Sequence, residues 1–297
     1  MKRLGAVTLV FALLGGVLVG CGGGEGDGGE ADGRLPVVAA FYPLAEAASR
    51  VGENRVAVTN LTPAGTEPHE LELTPDQVDR IQDAAVVLVM GDGFQPAVEA
   101  AAAARDGQTV ELLAEVAPPG GAADPHVWLD PVVYARVVDA VAEALSTADP
   151  DGAEEYAARA RRLADEIATV DREYAAGLAR CDRRTIVTAH EAFGWLARRY
   201  DLTQEGIAGL APDQEPTPKR LAELADLADR EGVTTVFTEE LVSPRVAETL
   251  AREAGGLQTA VLHTLEGLSD EELARGDDWA SVMRSNLRAL RHALGCS

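Results

Sequence analysis

The chain has 297 residues, 46% apolar and 25% charged, enough for one large or two ordinary domains with cores of their own. Asp and Glu outnumber Lys and Arg 49 to 26, a formal charge of −23 that excludes nucleic-acid binding through phosphate neutralisation. The apolar fraction excludes a disordered acidic tail, and three cysteines without a Cys-x-x-Cys pair exclude a disulfide scaffold.

Lys2 and Arg3 precede an apolar run from Leu4 to Gly20 that stops at Leu18-Val19-Gly20-Cys21. A basic start, a short apolar core and small residues before a break describe a secretory signal over residues 1–20. The run of 17 residues sits at the lower edge of a membrane span, so an uncleaved anchor is the alternative. Leu-Val-Gly-Cys resembles a bacterial lipobox, which directs lipid attachment to Cys21 and cleavage before it. Two or more acyl chains hold a protein stably on a membrane. Residues 22–33 read GGGEGDGGEADG, a sequence that buries nothing. Residues 21–34 are therefore expected to be a lipidated, self-repelling tether.

Beyond Leu35, short β-rich runs alternate with helical patterns. The expected strands are Pro36–Ala40, Arg55–Asn60, Ala85–Met90, Thr185–Ala189, Thr234–Thr238 and Gln258–Leu262. Most are continuous Val, Ile, Leu and Thr runs, as in strands covered on both faces. Helix starts are marked by a capping residue followed by proline at Thr74-Pro75, Asp130-Pro131, Asp149-Pro150, Thr217-Pro218 and Ser243-Pro244. This alternation predicts parallel sheets in an α/β architecture. From Pro150 to Arg180 no strand pattern occurs, and Ile167, Val170, Tyr174 and Leu178 recur at helical spacing. One helix over 150–180 would divide the chain into α/β lobes at 35–149 and 181–297, with a cleft between them. A single larger α/β domain with one long surface helix is the alternative.

The chain has five histidines: His69, His126, His190, His263 and His292. His69 lies between the second strand and the helix after Thr74. His126 precedes the helix at Pro131, and His190 follows the strand TIVTA. Ligands of open parallel sheets bind outside the carboxyl ends of the strands, where such loops converge. Glu266 and Glu239, each following a strand of the second lobe, are available as a fourth donor. Three neutral imidazoles and one carboxylate suit tetrahedral Zn²⁺. His292, in the C-terminal helical pattern, is expected to be solvated.

These residues stand in a wider pattern: FYPLAEAA (41–48), GTEPHELELTP (65–75), DPHVWLDP (124–131), TAHEAFGWLARRY (188–200), EPTP (215–218), FTEELVSP (237–244) and the Leu262–Gly267 stretch. In order and context they resemble the substrate-binding lipoproteins of zinc ABC transporters, the ZnuA-like members of the TroA-type receptors. The resemblance runs from Leu35 to Cys296. It implies two α/β lobes bridged by a single backbone helix, with the metal site in the cleft. It implies metal ligands at His69, His126 and His190 and a fourth, acidic ligand that maps to Glu266. Members built for manganese or iron usually carry a carboxylate at the third position, so His190 points to zinc. Relatives typically read Asp-Pro-Leu-Glu where this chain reads His263-Thr264-Leu265-Glu266, leaving Glu266, His263 or a water to complete the shell. Glu239 is placed nearby as a supporting or alternative ligand. The long His-rich loop of many zinc receptors is missing, since the corresponding Pro118–Ala123 is short and holds no histidine.

The resemblance implies a monomeric, extracytoplasmic receptor, lipid-anchored to the outer face of the membrane. It would bind Zn²⁺ with high affinity and deliver it to an ABC permease and its ATPase. A manganese or iron receptor of the same fold, an adhesin-like lipoprotein and a zinc hydrolase are the alternatives; no His-Glu-x-x-His motif supports the last. Zinc affinity is expected to fall as pH drops through about 6.5, because imidazole must be neutral to bind. With Cys21 lipidated, Cys181 and Cys296 are the remaining cysteines, and an oxidising exterior would allow them to form a disulfide.

Overall fold

Buried runs of Val, Ile, Leu, Phe and Thr build the centres of two sheets. The computed structural model describes residues 33–117 and 124–297. The signal, Cys21, the tether up to Asp32 and the Pro118–Ala123 stretch lie outside the described residues. In the first lobe, Leu35–Ala39 (β1), Val56–Asn60 (β2), Val86–Val89 (β3) and Gln108–Glu111 (β4) form a parallel sheet in the order β2-β1-β3-β4. Helices α1 (Tyr42–Gly52), α2 (Pro75–Asp83), α3 (Pro96–Ala103), α4 (Leu112–Val116) and α5 (Pro131–Ala148) complete it. After α6 (Ala153–Gly177), a second parallel sheet contains Thr185–Thr188 (β5), Thr203–Gly206 (β6), Thr235–Thr238 (β7) and Gln258–Val261 (β8). Its order, β6-β5-β7-β8, repeats that of the first. Helices α7 (Gly194–Arg199), α8 (Pro218–Glu231), α9 (Arg245–Glu253), α10 (Asp270–Arg275) and α11 (Trp279–Leu294) surround it. Among the described residues, no helix is long and apolar enough to cross a membrane.

All six expected strands form, five shortened by a residue at one or both ends and β1 shifted one residue toward the N-terminus. Two more, β4 and β6, were not expected: both are polar edge strands, QTVE and TQEG, whose one-sided pairing needs no apolar run. Thr74, Asp130 and Thr217 cap their helices as expected, each accepting a backbone N–H from the first turn. Ser243-Pro244 does not follow the pattern. There Pro244 itself is the residue before α9, in helical backbone conformation and with no side-chain cap.

The linking helix α6 has 25 residues, about 37 Å at 1.5 Å per residue. It is shorter than the expected span of 150–180, because Pro150–Gly152 is a separate 3-10 turn and Leu178 ends the α-helix. Tyr156, Ala160, Leu163, Ile167, Val170 and Tyr174 form its buried stripe. α11 returns along α6, where the Tyr174 hydroxyl donates to the Met283 carbonyl at 2.7 Å. A disulfide joins Cys181 to Cys296, closing a separation of 115 residues and tying the C-terminus to the start of the second lobe.

One core cluster runs from β1 and β3 through α5 and α6 to Phe193, Leu262 and Trp279 of the second lobe. All three tryptophans stitch the lobes together. Trp128 donates its indole N–H to the Thr264 carbonyl at 2.7 Å, Trp195 to the Asp124 carbonyl at 2.9 Å, and Trp279 to the Trp128 carbonyl at 2.9 Å.

Candidate metal centre

The loops leaving the carboxyl ends of both sheets meet in the cleft. His69 sits in the long loop between β2 and α2, which is pinned across the cleft by the Gly65 N–H donating to the Leu268 carbonyl at 2.9 Å. Gly65 has φ +70, a conformation that favours glycine. His126 lies between Pro125 and the short 3-10 turn Val127–Leu129, just before the Asp130 cap of α5. His190 follows β5, its carbonyl accepting from the Thr188 hydroxyl at 2.7 Å and from Gln204 Nε2 at 3.0 Å. Glu266 lies in the turn after β8.

Glu266 Oε1 lies 3.3 Å from His69 Nε2, 3.1 Å from His126 Nε2 and 3.5 Å from His190 Nε2. His126 Nε2 and His190 Nε2 are 3.4 Å apart. Tetrahedral ligands about 2.0–2.1 Å from a zinc ion are separated from one another by about 3.3–3.4 Å. Four of the six donor–donor distances therefore match that coordination sphere, and the two between His69 and the other rings lie within 4.8 Å. Among the described residues, these four are the one group of three or more His, Cys, Asp or Glu whose donor atoms all lie within 4.8 Å of one another. Three are buried; His69, only partly buried, marks the entrance.

Each buried ring is aimed by a carboxylate behind it. Asp124 Oδ1 accepts from His126 Nδ1 at 2.9 Å and from the His126 backbone N–H at 3.1 Å. Glu239 accepts from His190 Nδ1 with both oxygens at 2.8 Å, and from the His190 N–H at 3.0 Å. Bonding at Nδ1 fixes the tautomer and leaves Nε2 facing the centre. The Thr264 hydroxyl donates to Glu266 Oε2 at 3.0 Å, leaving Oε1 toward the rings.

The electrostatics follow from this crowding. Burial opposes charge on His190, but Glu239 and Glu266 outweigh it and push the ring up to about 10. His126 is raised likewise: burial works against it, and Asp124 and Glu266 overcome that. Burial would raise Glu266, yet the facing histidines, His190 first, hold it well below the ordinary carboxylate range. At the mouth, burial and then the Glu266 charge raise Glu67, whose Oε1 lies 4.0 Å from His69 Nε2. Without a metal, the cluster holds protons between its nitrogens and oxygens; a divalent cation satisfies the same atoms without them.

The structure brings His69, His126, His190 and Glu266 together. It places Glu239 behind His190, out of the central group. His263, weighed above as a fourth donor, points elsewhere: its Nδ1 accepts the Leu265 N–H at 2.8 Å, and its Nε2 faces Glu272 at 3.4 Å. His292 is exposed on α11. Sequence reasoning assigned no role to Asp124, Thr264 or Trp128. The signal for Asp124 was its position two residues before His126, the spacing of a local side-chain-to-backbone bond.

Residues 37–293 match the family described as ZnuA, zinc-uptake complex component A, periplasmic. The chain belongs to this family. Among ZnuA-family relatives, the high-affinity zinc uptake system protein ZnuA of Bacillus subtilis is 34% identical, over 94% of this chain and 94% of that protein. The zinc-binding lipoprotein AdcA of Streptococcus pneumoniae is 34% identical over 88% of this chain. The chain spans little more than half of AdcA, 56% of its length. The crystal structure of the Zn(II)-bound ZnuA-like domain of that AdcA superposes with a TM-score of 0.76 at 35% identity, covering 88% of this chain and 99% of that domain. The two-lobe architecture around a His₃Glu cluster is thus that of a ZnuA-family protein.

Proposed function

We propose that this protein is an extracytoplasmic zinc receptor that captures Zn²⁺ and delivers it to an ABC import permease driven by a cytoplasmic ATPase. His69, His126, His190 and Glu266 are the proposed ligands. The observation that carries the proposal is the convergence of three imidazole nitrogens on one carboxylate oxygen, at 3.1–3.5 Å. Imidazole-rich donor sets suit zinc, whereas manganese and magnesium favour oxygen. Four protein donors fill the shell and leave no position for a reacting water, which favours carriage over hydrolysis. Secretion by the leader and lipid attachment at Cys21 would hold a monomeric receptor at the outer face of the membrane. Zinc uptake and lipoprotein character in the relatives' names support this reading.

Burial makes the site a pre-formed trap. Asp124 and Glu239 hold Nε2 of their rings toward the ion once zinc displaces the protons there, and Glu266 supplies the compensating charge. His69, nearest the solvent, is placed to meet the ion first. Calorimetric titration of the protein with Zn²⁺ and with Mn²⁺ tests the proposal: one tight zinc site, with manganese displaced by zinc, is expected. Tighter manganese than zinc binding, or zinc binding unchanged by simultaneous alanine substitution of His69, His126 and His190, contradicts it.

A further inference from the structure

The turn that presents Glu266 is built on a backbone conformation its own residue disfavours. Leu265 is fully buried and has φ +59. The other non-glycine residues with positive φ among the described residues, Glu53, Asp92 and Asp201, are all exposed. Asn and Asp tolerate this region because a short polar side chain bonds locally; leucine has no such compensation.

The compensation comes from two residues upstream. The Leu265 N–H donates to His263 Nδ1 at 2.8 Å. This is the side chain i to backbone i+2 bond by which Asp and Asn form Asx-turns, here made by an imidazole. A backbone N–H can only donate, so Nδ1 is the unprotonated nitrogen of the ring. The proton on Nε2 faces Glu272 Oε1 at 3.4 Å. Asn286 of α11 clamps His263 from the other side, accepting its N–H and donating to its carbonyl, both at 2.8 Å. Thr264, between His263 and Leu265, is held through its carbonyl by Trp128 and bonds Glu266 through its hydroxyl.

We propose that His263 is a positioning residue of the zinc site: by accepting the Leu265 N–H it holds the left-handed turn that aims Glu266 at His69, His126 and His190. The proposal rests on the reading of Glu266 as a zinc ligand. His263 does not touch the ion. Its role belongs to one acceptor atom at one position, so a side chain that restores that acceptor restores the function.

The test compares zinc affinity, measured by competition with a chromophoric chelator, for the unmodified protein, His263→Asn, His263→Gln, His263→Leu and Glu266→Ala. Thermal melting of each zinc-free variant is recorded alongside. Asn places its oxygen within reach of its own i+2 N–H; Gln, one methylene longer, does not. His263→Gln and His263→Leu are expected to bind zinc about 10- to 100-fold more weakly. His263→Asn is expected to recover most of that loss. Should His263→Leu fail to fold, the contrast between Asn and Gln carries the test. Equal affinities for these two, or wild-type affinity in His263→Leu, overturn the proposal. Weakening by Glu266→Ala together with wild-type affinity in His263→Gln overturns the positioning role alone. Unchanged affinity in Glu266→Ala overturns the ligand assignment and the positioning role together.

Discussion

Trp128 of the first lobe donates its indole N–H to the carbonyl of Thr264 in the second, 2.7 Å away and two residues before Glu266. Both residues are buried, so removing the donor strands a carbonyl away from water. Trp128→Phe is expected to lower unfolding stability by about 1–3 kcal/mol, the usual result of leaving a buried polar group unsatisfied. It should also weaken zinc binding, because the turn carrying Glu266 loses its brace. Urea midpoints and a zinc titration of the same variant check both effects.

The other two indole bonds cross the cleft as well, and α6 and α11 run beside it as a continuous packed spine. Opening the lobes as rigid bodies would break all three bonds and split one core. Metal uptake should therefore order the loop bearing His69 more than it rotates the lobes. Small-angle scattering of zinc-free and zinc-bound protein should give nearly equal radii of gyration, while hydrogen exchange slows within residues 61–74. A large contraction on binding would show a hinge instead.

Asp124 and Glu239 act through the rings they orient. Asp124→Ala and Glu239→Ala should each weaken zinc binding about 10- to 100-fold while leaving one ion per protein. The stoichiometry is the discriminating quantity. Loss of the site altogether in Glu239→Ala would make Glu239 a ligand.

The pH dependence follows from the direction of the shifts. A nitrogen whose proton is held more tightly than usual must release it before zinc can bind. With His190 pushed up to about 10, zinc affinity should go on rising with pH well above 7. This moves the window upward from the 6.5 of an ordinary histidine, because carboxylates flank the rings. In the zinc-free protein, the same His190 contributes stability that is full below pH 6.5 and is lost as pH rises towards 10. Glu266, held below its ordinary value of 4.5, contributes stability above that pH and loses it in acid. Zinc-free melting temperatures should therefore be highest between these limits, and the bound form should hold its stability further into alkali.

The Cys181–Cys296 bond closes a loop with a separation of 115 residues at the end of the second lobe remote from the strand ends that carry His190 and Glu266. Serine at both positions should lower stability by about 2–5 kcal/mol, with little change in zinc affinity. Guanidinium unfolding with and without reductant, followed by a zinc titration, separates the two effects.

The central strands were legible because a strand buried on both faces must be apolar throughout, as VVLV in β3 is. The edge strands β4 and β6 were not, since polar residues on a half-solvated edge look like loop. The histidines could be grouped because loops after parallel strands converge, and because only five histidines were present. The bonds behind them were less legible. Asp124 is local to His126 and left a spacing that was not read; Glu239, 49 residues from His190, was placed near the site by its position after a strand and by the resemblance, and the fold sets it behind the ring. His263 looked like a donor because imidazole often is one. Its Nδ1 is instead committed to the backbone of the turn, a role that composition and spacing do not announce.

Diffraction from crystals grown with Zn²⁺, recorded on both sides of the zinc absorption edge, tests the central claim most directly. One anomalous peak is predicted, bonded to the Nε2 atoms of His69, His126 and His190 and to Glu266 Oε1, at about 2.0–2.2 Å. A peak elsewhere, or zinc held by His263 or Glu239 with Glu266 turned away, would contradict it.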